Sequence, residues 1–419
     1  MIRLLIWSSY LVVTYITIFQ LLSFLERDSF SRNVEWPETW PSVSITIPAY
    51  NEEDTIGMTI ESVLDLEYPK ELLEIIVVDD GSQDSTAEEV KKYTDRDQVR
   101  LVQQENQGKG AALNTGISEA TGKLFACVDA DSRLEQDALK NLVSHFDGDT
   151  GAVASAMKVH EPQNLVQRIQ WLEYLVGIYT REILGHLGAI NVTPGPFSIY
   201  RRSALEEMGG FDEESLVEDQ EVCYRMHRDG WEIGHARNAV VHTVAPSDWK
   251  AFYHQRKRWY TGSLQELIKY RKMMFNRKYG EFGFFTLPSN LVMPTMSIFT
   301  LGLVSFLTLQ PLADITEAIS QIGLDFFTFD ASLQILLQDA YWSLIGTRAV
   351  STAMMVSIFA LTASTLYLTS RYTGENALGK GILPGLFYAA MYVFVIGFMY
   401  LVASIKLIAN YLFDVGTRW

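Results

Sequence analysis

Two aspartates separated by one residue, Asp129-Ala130-Asp131, follow an apolar run that ends at Val128. Carboxylates so spaced, held where a strand ends, can converge on one hard cation together with the oxygens of a diphosphate. Magnesium or manganese suits such a site, because both take oxygen ligands and keep positions open for phosphate. The cation would neutralise charge that gathers on a departing diphosphate. Taken singly, the triplet reads equally well as a solvated turn. Asp79-Asp80-Gly81-Ser82 is a good turn sequence too, yet two like charges held at a strand's end call for a cation or for donors such as a ribose and a base N–H. The segment Ile47-Pro48-Ala49-Tyr50-Asn51-Glu52-Glu53 adds Pro48, Tyr50 and Glu52, and Tyr50 can stack on a base. Gln107-Gly108-Lys109-Gly110 sets a cation near a helix start, suited to phosphate. The GxxxxGK[ST] spacing of a P-loop is absent, and a solvated lysine at a helix cap explains this stretch as well.

Farther along, Leu216-Val217-Glu218-Asp219-Gln220-Glu221 sets acids before an amphipathic helix. Asp219 could deprotonate a hydroxyl; acids favoured by the helix dipole are the plain alternative. His254-Gln255-Arg256-Lys257-Arg258-Trp259-Tyr260 is basic and aromatic. It suits either lipid headgroups beside a membrane or an arginine on a leaving diphosphate with a tryptophan under a sugar ring.

For such residues to meet, the chain must bring strand ends together. Val43–Ile47, Leu73–Val78, Val99–Val102 and Lys123–Val128 read as strands. Asp54–Leu66, capped by Thr55 or Asp54, Ser85–Tyr93 and Gly110–Ala120 read as helices. Strands alternating with helices form a parallel sheet covered on both faces, with ligands beyond the carboxyl ends. The singled-out acids come directly after the apolar runs.

The 419 residues hold one large domain with length to spare. A net charge of −16 excludes a general nucleic-acid binder, which needs a basic face. Two cysteines, Cys127 and Cys223, make neither a disulfide scaffold nor a metal spacing and fit a reducing compartment. The apolar run Leu4 to about Leu25 is long enough to span a bilayer and offers no cleavage site for a signal peptidase. Arg27 and Arg32 after it, against Arg3 before it, hold the α/β region in the cytoplasm. Residues 35–41, with Pro37 and Pro41, read as a linker. Three more spans are expected: Phe282–Leu309 with an interfacial turn at Pro288 and Pro294, Ala349 to about Ser370, and Ile382 to about Phe413, broken by Pro384 and Gly385. The acidic segment Asp314 to Asp339 belongs outside, and Arg371 and Lys380 inside. The expected division is an anchor over 1–34, a cytoplasmic α/β domain over 35–275, and interfacial and transmembrane helices over 276–419.

The series Asp79/Asp80, Asp129-Ala130-Asp131, Glu218-Asp219 and Gln255-Arg256-Lys257-Arg258-Trp259 resembles the D, D, DxD, [TE]D and QxxRW motifs of processive family-2 inverting glycosyltransferases. Those include hyaluronan, chitin-oligosaccharide, poly-N-acetylglucosamine and cellulose synthases. The resemblance covers about 45–270, together with Gly195-Pro196-Phe197-Ser198-Ile199-Tyr200-Arg201-Arg202 and Gly209-Gly210-Phe211. It departs at Val217, where many members have threonine. Gly416-Thr417-Arg418 is similar to the tail of hyaluronan synthases, which is cytoplasmic, whereas three C-terminal spans would leave it outside.

The resemblance implies a Rossmann-like GT-A domain with a mostly parallel central sheet on a transmembrane helical bundle, an integral membrane protein using Mg2+ or Mn2+. On the donor side it implies Pro48, Tyr50, Glu52, Asp79, Asp80, Lys109 and Asp129. Tyr50 and Asp79 would hold uracil and Asp80 the ribose side. Asp129 and Asp131 would bind the metal. Asp219 would be the base beside Glu218, and Arg258 would steady departing UDP. Gln255, Trp259, Gly195 and Pro196 would line the acceptor side. Partners would be a UDP-sugar, membrane lipids, and a growing polysaccharide or a glycolipid acceptor. Two rivals remain: transfer of one sugar to a lipid, and a non-enzymatic membrane protein that senses nucleotide.

Overall fold

In the computed structural model of the chain, residues 36–302, 349–376 and 382–413 are described, with Leu11, Thr14, Tyr15, Ile18 and Ser305 besides. Most of the expected anchor, the acidic segment Asp314–Asp339 and the Gly416-Thr417-Arg418 tail lie outside the described residues. The strands are β1 (Val43–Ala49), β2 (Leu73–Asp79), β3 (Val99–Gln103), β4 (Leu124–Val128), β5 (Ser132–Leu134), β6 (Thr150–Val159), β7 (Phe197–Arg201) and β8 (Glu232–Thr243). The α-helices that bear on the site are α1 (Ile56–Leu64), α2 (Thr86–Lys91), α3 (Lys109–Glu119), α4 (Ala138–Val143), α5 (Leu165–His186), α6 (Arg202–Met208), α7 (Glu218–Asp229) and α8 (Trp249–Lys269). After them come α9 (Phe282–Gly302), α10 (Ala349–Thr373) and α11 (Ile382–Phe413).

β2 shows why the sheet is covered on both sides. Its Ile75 and Val77 pack into one apolar cluster with Ile56 and Ile60 of α1 and Leu139 and Leu142 of α4. Its Ile76 and Val78 pack into another with Leu113 of α3, Val222 of α7 and Leu267 of α8. Successive side chains of a strand point to opposite faces, so a continuous apolar run is what a strand between two helical layers requires. β4 divides in the same way, Ala126 and Val128 to the first cluster and Phe125 and Cys127 to the second.

The strands form one sheet in the order β3-β2-β1-β4-β7-β6-β8-β5. β1 runs parallel to β2 and β4, β2 to β3, and β6 to β8. β7 enters antiparallel between β4 and β6, and short β5 closes the edge antiparallel to β8. This is the mostly parallel, GT-A-like sheet expected. The chain goes from β1 outward to β2 and β3, then returns to place β4 on the other side of β1. The carboxyl ends of β1 and β4 therefore flank a topological switch point, where open α/β sheets bind ligands.

Three local expectations are corrected. Thr55 stands before α1 but does not cap it; its hydroxyl donates to the Glu52 carboxylate at 2.6 Å. Pro384 and Gly385 do not break the last helix, which runs unbroken as α11. Proline in a first helical turn removes an N–H that would have no intrahelical partner. Pro288 and Pro294 likewise lie within α9 rather than in a turn before it, and α9 opens with a π-type turn, Phe282–Thr286.

Among the described residues, α9 is the one helix long and apolar enough to cross a bilayer; Phe394–Asn410 is a shorter apolar stretch. α11 packs beside α5 and α8, with Tyr392 and Met399 against Val166, Ile169 and Phe252. α10 adds Leu366 and Leu368 against α5. α9 and α11 cross so closely that a Cβ at Gly397 would collide with the Ser297 carbonyl oxygen, whereas one at Gly302 meets nothing within 4 Å. Gly397→Leu should therefore lower the unfolding midpoint by several degrees, and Gly302→Leu should leave it in place. Differential scanning fluorimetry of the purified variants checks both.

Candidate active site

The turn after β2 fixes the first acids. Asp79 is 2 % exposed; it accepts from the Ser82 amide and from the Gln103 side chain, both at 3.0 Å. Asp80 is 3 % exposed and accepts from the Gln104 side chain at 2.7 Å, the Gln107 amide at 3.0 Å and the Gly108 amide at 2.8 Å. Its carboxylate is thus committed to holding the loop that leads into α3. Gly81, at φ +77°, lets this turn press on that loop, since a Cβ there would lie 2.8 Å from the Asn106 nitrogen. The exit of β1 is tied to the same turn: the Asn51 amide donates to the Ser82 hydroxyl at 3.0 Å, and the Asn51 side-chain carbonyl accepts from the Gln83 amide at 2.8 Å. Tyr50 is left 44 % exposed beside it. Pro48 is the β1 residue paired with Val78 of β2.

The loop held by Asp80 delivers Lys109, the first residue of α3, to the centre. Its ammonium lies 2.7 Å from Asp129 Oδ1 and 2.9 Å from Glu218 Oε1. Burial opposes this charge, but Asp129 and Glu218 override it and hold Lys109 well above the ordinary lysine range. Gly195, in the segment before β7, backs the pair: a Cβ there would lie 2.7 Å from Lys109 Nζ and 3.2 Å from Asp129 Oδ2. The family resemblance implies an acceptor-side place for Gly195. The fold puts it against the Lys109–Asp129 pair, and Pro196 leads from it into β7.

Asp131 stands two residues beyond Asp129 and receives long hydrogen bonds from the hydroxyls of Ser132 and Thr243, at 3.3 and 3.4 Å. Burial, with the charges of Asp129 and Glu52 after it, pushes it up to about 6. Glu52 is itself raised, by burial first and also by Asp129. Among the described residues, no three His, Cys, Asp or Glu side chains gather to hold a metal by themselves. Asp129 and Asp131 instead offer hard carboxylate oxygens, which fit a cation that completes its shell with phosphate and water. A cation there would also relieve the crowding of carboxylates that raises Asp131.

Glu218 and Asp219 open α7. Glu221 anchors that helix, accepting from Tyr270 at 2.6 Å and pairing with Lys269 at 2.9 Å and Arg225 at 2.7 Å. Val217, just before it, is buried against Gly262 of α8. The two acids titrate as a pair. Burial works against Glu218, but Lys109 draws it below the usual carboxylate range; burial and the charge of Glu218 push Asp219 up to about 6. Neighbouring carboxylates whose environments separate them in this way are poised for acid–base work. Arg258 of α8 donates to the Leu216 carbonyl at 3.1 Å and adds its charge beside both.

On α8, Gln255 and Trp259 share one stripe, flanked by Arg258 on one side and Arg256 on the other. Gln255 accepts from Arg256 at 2.6 Å, and the Arg256 guanidinium lies over the Trp259 ring, 4.2 Å from its centroid. Neither Arg256 nor its partner Glu173 on α5 is singled out by the sequence; a pair 83 residues apart leaves no local signal. Cys127, buried beside the Gly195 and Ser198 carbonyls, is pushed by burial up to about 12. A cavity of about 820 Å³ lined by Trp36, Arg133, Lys158, His160, Trp171 and His242 contains none of the acids described above.

An open α/β sheet with acids at the exits of β2 and β4, a lysine joining them to an acidic helix start, and one stripe of polar and aromatic residues on α8 defines a GT-A-like fold with a single charged centre. Residues 44–209 match the family model described as Glycosyl transferase family 2. Poly-beta-1,6-N-acetyl-D-glucosamine synthases from Staphylococcus aureus and Staphylococcus epidermidis are 34 % and 32 % identical to the chain over 233 and 232 residues. Those matches cover 54 % of this chain and 56 % of each relative, so the chain spans about half the length of the curated relatives it matches. A mannosyltransferase from Pyrobaculum calidifontis, solved in complex with GDP-Man and Mn2+, has a TM-score of 0.55 at 21 % identity. It covers 86 % of this chain and 98 % of its own length, a likeness of fold.

Gly195→Ala should leave the unfolding midpoint within about two degrees of wild type, because the flexible end of Lys109 can move aside. The Lys109–Asp129 contact should open, and the turnover proposed below, read as UDP released from a UDP-sugar, should fall about tenfold. Scanning calorimetry and a coupled UDP assay measure the two effects.

Proposed function

We propose that the chain is an inverting, metal-dependent glycosyltransferase that moves sugar from a UDP-sugar to a growing, β-linked polysaccharide and passes the product through its own membrane spans. The observation that carries this reading is the Lys109 ammonium held between Asp129 and Glu218. It joins the carboxylates suited to a donor diphosphate to the pair suited to activating an acceptor. The staphylococcal relatives are polymer synthases by name, which favours a polymer over a single glycolipid transfer. The fold neighbour solved with GDP-Man and Mn2+ supports a nucleotide-sugar donor and a divalent metal.

In this reading Asp129 and Asp131 would hold Mg2+ or Mn2+, which would supply positive charge at the leaving diphosphate. Tyr50 stacks on the uracil and Asp79 accepts its N–H, while Asp80 keeps the loop carrying Lys109 in place on the ribose side. Pro48 and Glu52 complete the donor edge. Asp219 takes the proton from an acceptor hydroxyl, whose oxygen forms the new bond at the anomeric carbon as the bond to UDP breaks. Attack opposite UDP converts an α-linked donor into a β-linked product. Arg258 lies beside the Glu218–Asp219 pair and steadies departing UDP. Gln255 and Trp259 receive the acceptor sugar, with Pro196 at its entry. Residues 35–275 form the cytoplasmic domain, held by a span within 1–34 and by interfacial and transmembrane helices within 276–419.

Feeding purified full-length protein a panel of UDP-sugars should yield a ladder of polymer masses for one of them; a single glycolipid product would reject polymer synthesis. Asp219→Asn should cut UDP release by at least about a hundredfold with donor affinity intact. Unchanged turnover in that variant would reject the base assignment. Because transfer needs Asp219 ionised, its rate should climb as pH rises through about 6. Glu218→Gln removes the charge that holds Asp219 up, so the acid limb of the remaining activity should move to lower pH, as initial rates across pH 4.5–8 would reveal (about one unit per 1.4 kcal/mol of lost repulsion).

A further inference from the structure

Arg256 is fully buried although it stands in the most basic stretch of the chain, two residues from exposed Arg258. Its guanidinium lies over two rings of its own helix, 4.8 Å from the Phe252 centroid and 4.2 Å from that of Trp259. One arm donates to the Gln255 side-chain carbonyl at 2.6 Å, and the other is ion-paired with Glu173 of α5. Tyr174, Tyr260 and Tyr392 stand around the pair, so α5, α8 and α11 all meet there. A buried ion pair is weak evidence for stability, because desolvation offsets its attraction. This one performs a geometric task instead. With its carbonyl turned to Arg256, the Gln255 amide directs its two N–H donors away from the guanidinium. With its face on a fixed guanidinium plane, Trp259 cannot rotate freely.

We infer that Glu173 and Arg256 are positioning residues for the acceptor sugar: anchored to α5, the guanidinium orients Gln255 as a donor to sugar hydroxyls and sets Trp259 as a platform for a sugar ring. The inference rests on the glycosyltransferase reading and deepens it. It assigns acceptor recognition to a contact between the long helix α5 and α8. Lysine cannot replace Arg256 fully, since an ammonium lacks the flat fork that engages Glu173 and Gln255 together.

The test uses full-length protein, the UDP-sugar that wild type turns over, and β-1,6-linked N-acetylglucosamine oligosaccharides as acceptor. Donor KM is read from UDP release without acceptor, and acceptor KM from chain extension. Arg256→Met and Glu173→Gln should each raise acceptor KM about tenfold while donor KM stays within about twofold of wild type. Arg256→Lys should recover part of the loss. The double variant Glu173→Gln/Arg256→Met leaves no orphaned buried charge, so it should fold and still show the raised acceptor KM. An unchanged acceptor KM in the double variant would overturn the inference. So would donor and acceptor constants worsening in parallel with a fall in unfolding midpoint, the signature of a structural role alone. If wild type releases UDP and Asp219→Asn does not, those results bear on the positioning pair only; if wild type transfers sugar from no UDP-sugar, the function and this inference fall together.

Discussion

One ammonium group between two carboxylates organises the centre of this protein. Asp129 directly follows β4 and Glu218 begins α7, and without a cation between them their charges would repel across a partly buried space. Lys109 meets both at hydrogen-bonding distance. It is therefore both a structural bridge and a means of keeping Glu218 ionised while its neighbour Asp219 is pushed up. Loss of that single charge would alter Asp129 and the Glu218–Asp219 pair together, because neither has an independent setting.

The remainder of the fold can be read as the means by which Lys109 reaches that position. Asp80 accepts the backbone amides of Gln107 and Gly108 and so fixes the residues just before α3. The parallel pairing of β1 with β2 and β4 brings three strand exits to one edge of the sheet. Glu221, with Lys269, Tyr270 and Arg225 around it, clamps α7 to α8 so that Glu218 points back toward the sheet. Each of these is a buried or half-buried polar contact with its partners supplied, as a low-dielectric interior requires.

Much of this was legible in the residues themselves. A strand buried on both faces must be an uninterrupted apolar run, so β2 and β4 announce themselves, and the acids at their ends are placed by the same rule. What the sequence could not show is what tertiary contact decides. Nothing local in Glu173 points to Arg256, and nothing in Gly195 says that its missing side chain makes room for a lysine from another segment. Thr55 resembles a helix cap by type, yet Glu52 takes its hydroxyl. Pro288, Pro294 and Pro384 resemble breaks by type, yet each falls where the surrounding helix tolerates it. The charged cluster at 254–260 held the largest surprise, because its most basic stretch sends one arginine inward and another outward.

The two thiols, Cys127 and Cys223, are both enclosed in the sheet–helix core, and burial raises each to about 12. At neutral pH neither presents the thiolate that reacts with maleimides or disulfide reagents. The native chain is thus already silent toward such probes, and a single cysteine introduced at any exposed site becomes a unique reporter. Spectroscopic distances and solvent accessibility can be mapped on the unaltered core, with no need to remove the native sulfurs first.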